Sequence, residues 1–130
     1  MDSTFRKEER LKSNLAVQNL IKQGQSLSSF PFKIYWKSVE DPGQKFPARV
    51  AISVPKKKFR RAVDRNLMKR RIREAYRKNK HPLYDFLIKS DLKVIIVVLF
   101  LTDEFISYGR VESLLKSLLS KLISNIKKCT

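Results

Sequence analysis

A two-layer α/β sandwich of mixed α+β character, ordered α-β-β-α-β-α around a small central sheet, is what these 130 residues predict. Three features carry that expectation. Val94–Leu101 is an unbroken apolar run with a β-branched centre, as a strand covered on both faces requires. From Val111 to Ile126 apolar residues recur at i, i+3, i+4 and i+7, the rhythm of a helix with one buried stripe. Two further segments, Phe32–Trp36 and Val50–Val54, alternate as half-buried strands do.

Taken in order, the first helix is expected over Asn14–Gln23, with Ser13 or Asn14 capping its start and Gly24 ending it. "SLSSFP" reads as loop. Phe32–Val39 reads as a strand that points Phe32, Ile34 and Trp36 one way and Lys33, Tyr35 and Lys37 the other. "EDPGQK" holds an Asp-Pro-Gly turn signal, and a second strand over Ala48–Pro55 is expected to close a hairpin with the first. Lys56–Arg61 is a basic connector. Asp64 is the expected N-cap of a helix from Arg65 to Lys78, and Pro82 ends that helix or starts a new turn. The strand Leu92–Leu101 and the leucine-rich helix follow. One domain covers 1–130, with 1–12 and 128–130 expected as flexible ends.

Charge says more about partners than about fold. The net charge is +17, and residues 56–80 alone hold thirteen Lys or Arg against two acids. Such concentration exceeds what solubility needs and points to a polyanion, nucleic acid ahead of a membrane surface. Cys129 is the single cysteine, which rules out a disulfide frame and suits a reducing compartment. The opening "MDSTFRKEER" lacks a signal-like apolar run, and no apolar stretch approaches the roughly 20 residues of a membrane span. A soluble, cytoplasmic protein is expected. His81, the only histidine, sits beside Pro82 in an expected loop. Asp85, Asp91, Asp103 and Glu104 are scattered, and three glycines build no phosphate loop. No catalytic residue, metal site or cofactor of the protein's own is expected.

The basic helix is amphipathic in an unusual way. Met68, Ile72, Ala75 and Tyr76 fall on one face at about 100° per residue. Asn66, Lys69, Arg70, Arg73 and Arg77 form a neighbouring cationic stripe, and Lys56, Lys57, Lys58, Arg60 and Arg61 precede it. Arg outnumbers Lys on the helix, and its planar fork suits phosphate oxygens. Bound polyanion would offset the repulsion that such a stripe stores in the free protein.

At these residues the chain resembles a known family. "RVAISVPKKKFRRAVDRNLMKRRIREAYR" (Arg49–Arg77) is similar to the signature of the bacterial ribonuclease P protein subunit, matching at Ser53, Val54, Lys56, Lys57, Ala62, Val63, Arg65, Asn66, Lys69, Arg70, Arg73 and Glu74. "RLKSNLAVQNLIKQG" and "PFKIYW" resemble the family's first helix and strand. The chain departs from the pattern at Leu67, where an arginine is usual, and at "KFRR", which replaces a glycine after the lysines. Val17 and Ile21 stand where phenylalanines are common.

The resemblance implies a left-handed βαβ crossover, against the general rule. It also implies a ribonucleoprotein that removes the 5′ leader of precursor tRNA, with Mg²⁺ held by the catalytic RNA and no cofactor bound by the protein alone. It assigns Lys56, Lys57, Arg60, Arg61, Arg65, Asn66, Lys69, Arg70, Arg73 and Arg77 to the catalytic RNA. Val17, Ile21, Phe32, Tyr35, Arg49 and Ser53 are assigned to a groove for the leader of precursor tRNA. Tyr35 fits from its own neighbours as well, being a ring between Lys33 and Lys37 that offers stacking and charge to a single strand. Phe5 and Phe30 are further aromatic candidates of unassigned direction. Two other readings compete: a structural RNA-binding protein such as a ribosomal protein, and a membrane-surface role for the terminal helix, whose polar side carries Lys116, Lys121, Lys127 and Lys128.

Overall fold

In the computed structural model, which describes residues 7–57 and 59–129, one sheet holds β1 (Gln25–Ser29), β2 (Phe32–Ser38), β3 (Ala48–Ser53) and β4 (Val94–Phe100) in the order β1-β2-β4-β3. The α-helices are α1 (Asn14–Gln23), α2 (Ala62–Asn79), α3 (His81–Lys89) and α4 (Tyr108–Cys129).

The expected hairpin between the strands now called β2 and β3 does not form. β4 lies between them, antiparallel to β2 and parallel to β3. The physical reason is the apolar run itself: Val94, Ile96, Val97, Val98 and Phe100 are all buried, which demands a central place covered on both faces. Parallel pairing of β3 with β4 then requires the long crossover that α2 and α3 supply. The Asp41–Gly43 turn is real, with the Gly43 amide donating to Asp41 Oδ1 at 2.9 Å. It serves a longer loop that passes the start of β4, where the Gln44 side-chain amide donates to the carbonyl oxygens of Phe46 and Val94.

Phe32, Ile34 and Trp36 of β2 face the main core with Ala48 and Val50 of β3 and alternate residues of β4. Met68, Ile72, Ala75 and Tyr76 of α2 close it from the helical side, as the 100° spacing predicts. Val111, Leu115, Leu118, Leu119, Leu122 and Ile126 of α4 are buried in the same core, so its apolar stripe is spent on the sheet and not offered to a lipid surface. Trp36 Nε1 donates to Asn125 Oδ1 at 2.7 Å and ties β2 to α4. Among the described residues, no helix is long and apolar enough to cross a membrane.

The opposite sheet face carries α1, which packs over β4 and β2 where Leu20 and Val97 are buried. Ser13 caps it, accepting from the Ala16 amide at 3.2 Å. Gly24 ends it in a tight approach: an added Cβ would meet the Leu20 carbonyl oxygen at 2.6 Å and that of Trp36 at 2.9 Å.

Three other local expectations change. "SLSSF" is mostly β1, a short edge strand whose serines carry no strand signal apart from Leu27. The basic helix starts at Ala62 with Arg61 as N-cap, so Asp64 lies within its first turn, where a carboxylate suits the helix dipole. Pro82 stands in the first turn of α3, which makes it a starter of a new helix, with His81 as that helix's first residue.

Parts of the segments expected as flexible ends make fixed contacts or continue an element. Within 7–12, Glu9 is buried and Arg10 bridges Val50 on the outer edge of β3. The terminal helix continues through Cys129. Residues 1–6, with Phe5, and Lys58 and Thr130 lie outside the described residues.

Candidate RNA interface

β3 is an edge strand, and this shapes the site. α2 packs its apolar stripe against the core and turns the adjacent stripe round the sheet edge. Lys69 and Arg73, one helical turn apart, line a cleft of about 420 Å³ with Ala51 and Ser53 of β3 and Val17 of α1. Arg10 and Lys12 line the same cleft from the N-terminal segment, which sequence reasoning missed because nothing local places residues 10–12 beside β3.

The cleft opens on the α1 face of the sheet, where strand register sets the rows. Ser53 lies level with Leu99 and Lys33, Ala51 with Val97 and Tyr35, and Arg49 with Ile95 and Lys37. Tyr35 is half-buried, and Lys33 Nζ stands 5.1 Å from its ring centroid. Arg49 is on this face too, with Nε buried and without a hydrogen-bond partner among the described residues. Ile21 is half-buried on α1 but does not line the cleft. Phe32 is a correction: alternation with Ile34 and Trp36 turns it to the main core, where it is 0% exposed and lies 5.4 Å from the Phe100 ring. It has no place in a groove on the other face. Phe30 is exposed at the β1–β2 turn, away from the cleft lining.

The nine cations and one amide assigned to RNA divide by what they touch. Lys56, Lys57, Arg60, Arg61, Asn66 and Arg70 are exposed, and Lys69 and Arg73 are partly covered by the cleft. Arg65 is committed inward: its Nη1 donates to the carbonyl oxygens of Phe59 at 2.8 Å and Arg60 at 2.9 Å. Arg77 pairs with Glu74 on the same helix, which holds the Glu74 carboxyl below its ordinary range. Arg71, unassigned beforehand, donates to the Ile106 carbonyl oxygen at 2.6 Å and braces α2 against the segment before α4. Phe59 anchors the connector, buried and stacked on Phe100 at 6.1 Å. An apolar residue inside a basic run was the available signal for this anchor.

Burial, then repulsion from Arg10, lowers the proton affinity of Arg73, an effect too small to discharge a guanidinium. Burial is the larger cause, and the smaller one reflects the positive charge of Arg10 at the same cleft. Among the described residues no acid lines the cleft, and no three His, Cys, Asp or Glu side chains converge as a metal site.

Fold and surface define a class: a small basic α/β domain that binds RNA, with its cations gathered on one helix and round one cleft. The ribonuclease P family model matches residues 5–122. The ribonuclease P protein component of Porphyromonas gingivalis is 31% identical over 120 residues, covering 92% of this chain and 87% of the relative. That of Chlorobaculum tepidum is 35% identical over 125 residues, covering 90% and 81%. Among solved structures, the Staphylococcus aureus RNase P protein at 2.0 Å aligns with a TM-score of 0.65 at 27% identity, covering 88% of this chain and 94% of that one. The Thermotoga maritima RNase P protein gives 0.65 at 26% identity, covering 87% and 96%. The chain belongs to the ribonuclease P protein family.

Proposed function

We propose that the cleft between α1, β3 and α2 holds the 5′ leader of precursor tRNA, while the connector and the exposed stripe of α2 grip the ribonuclease P RNA. Family membership makes this chain a protein subunit of ribonuclease P, a ribonucleoprotein endoribonuclease of tRNA processing, with the ribonuclease P RNA as its partner. The observation that carries the leader reading is the convergence of Lys69 and Arg73 with Val17, Ala51 and Ser53 in one cleft on the sheet face that also carries Tyr35, two strands from Ala51.

The chemistry of the lining suits a single strand. Lys69 and Arg73 offer charge to the sugar-phosphate backbone, and Ser53 and Asn14 offer hydrogen bonds. Val17 and Ala51 present apolar surface to a base, and Tyr35, outside the lining but on the same sheet face, offers a ring to a strand that runs beyond the cleft. Aliphatic Val17 and Ile21 stack less well than aromatic residues do, which shifts the leader grip toward charge.

A cation-lined cleft without carboxylates is the wrong donor set for Mg²⁺, which takes oxygen ligands. No step of the reaction is therefore assigned to a protein-bound metal. In this reading the RNA and the ions it carries break the phosphodiester bond, and the protein positions the strand. Precursor tRNA cleavage by the cognate RNA at low Mg²⁺, with and without the protein, tests it. Cleavage should rise on adding the protein, and the protein alone should leave precursor intact. No stimulation, or site-specific trimming by the bare polypeptide, overturns it.

A further inference from the structure

We propose that the N-terminal segment Arg10–Lys12 is a working wall of the cleft and that the buried Glu9–Lys80 ion pair is the latch holding it there. The inference rests on the reading of the cleft as the leader site. Arg10 and Lys12 are both exposed to solvent, yet both line the cleft with Lys69 and Arg73. Two more cations thus surround the space offered to the strand.

Part of the electrostatics at this wall works against its place. Arg10 and Arg73 repel, and an exposed segment with two positive residues facing a cationic helix gains by drifting into solvent. Attachments among the described residues oppose that drift. The Leu11 amide donates to the Val50 carbonyl oxygen at 3.0 Å, beside the parallel bridge of Arg10 to Val50. One residue earlier, Glu9 is buried: its Oε2 lies 2.6 Å from Lys80 Nζ and also accepts from the Tyr84 hydroxyl. Lys80 is buried as well, at the junction of α2 and α3. The pair therefore links the segment to the end of the same helix that carries Lys69 and Arg73.

A buried ion pair is a weak way to add stability compared with apolar residues of the same volume, but breaking one is costly. Its effect here is to fix position. It holds four cations round one hollow before RNA arrives, so the strand need not order the segment on binding. Glu9, Lys80 and Tyr84 are positioning residues in this scheme, and Arg10 and Lys12 touch the strand.

The test uses hydrogen exchange on the whole protein and substrate affinity of the reconstituted ribonucleoprotein. In Glu9→Gln, the Leu11 amide should exchange about tenfold faster while amides of β4 keep their rates. The affinity advantage of precursor over mature tRNA should fall about fivefold, with mature tRNA binding unchanged. Arg10→Ala combined with Lys12→Ala changes only exposed side chains and should cause the same selective loss, so the wall stays testable even where Glu9→Gln fails to fold. Unchanged Leu11 exchange overturns the latch, as does a common rise at Leu11 and β4, which would make Glu9 a general stabiliser. A retained leader advantage in the double variant, with a loss in Lys69→Ala, overturns the wall and leaves the cleft reading standing. A retained advantage in Lys69→Ala as well removes the cleft reading itself.

Discussion

Arg65 donates through Nη1 to the carbonyl oxygen of Phe59, six residues back, and so folds the basic connector against the start of α2. An arginine that the family resemblance assigns to RNA is thereby a brace for the loop that presents Lys56, Lys57, Arg60 and Arg61. Arg65→Ala should cost about 1 kcal/mol in urea unfolding, the usual size of a lost partly exposed charged hydrogen bond. RNA affinity should fall as well, because the connector loses its shape. Arg65→Lys keeps a charged nitrogen that can donate to both carbonyls, as Nη1 does, but on a shorter side chain, and should recover part of each. Unchanged stability in Arg65→Ala would make the residue a simple phosphate ligand.

Arg70 is its counterpart without such duties, exposed on the same helix with no acid partner among the described residues. Arg70→Ala should leave thermal unfolding where it is. It should lower the slope of log affinity against log salt by about 0.7–0.9, one phosphate contact, for the ribonuclease P RNA. An unchanged slope would show that this stripe does not face phosphate.

The turn that ends α3 holds a stability gain in reserve. Asp91 has φ +54°, in the left-handed region that favours glycine. Asp91→Gly should stabilise the fold by about 1 kcal/mol, or about 3–4 °C in a domain of this size. Asp91→Val should destabilise it. A fall in melting temperature for the glycine variant would contradict the assigned turn.

Alkaline stability should report the buried phenols. Burial pushes both Tyr76 and Tyr84 above the ordinary tyrosine range. The folded state thus keeps protons that the unfolded chain releases above about pH 10, so stability is full below that point and falls as pH rises beyond it. Tyr76→Phe removes one such group. Its unfolding free energy should fall less steeply above pH 10, by about 1.4 kcal/mol per pH unit. Parallel pH curves for the two proteins would contradict the burial of that hydroxyl.

Local rules carried the sequence reading far. The buried strand, α1, both amphipathic helices and the cationic stripe follow from periodicity and composition, and the Arg49–Arg77 motif carried the family. What failed was non-local. Alternation makes Val50 and Ile34 strand residues, but no signal in either says that β4 will separate them. β1 was invisible because its pairing with β2, not its serines, makes it a strand. Phe32 was placed in the groove by resemblance although its own alternation with Ile34 sends it to the core. Arg10 and Lys12 were missed because their place at the cleft depends on pairing with β3, and on contacts such as Glu9 with Lys80, 71 residues away, that no local pattern announces.

The central claim is that this protein reads the leader through the cleft of α1, β3 and α2 while bond breaking belongs to the RNA. Affinity of the reconstituted ribonucleoprotein for precursor tRNA, measured against leader length for wild type and for Lys69→Ala combined with Arg73→Ala, tests it most directly. The wild type should gain affinity as the first leader nucleotides are added, and the double variant should bind all leader lengths alike, with near wild-type cleavage at saturating substrate. A full leader gain in the double variant would contradict the account.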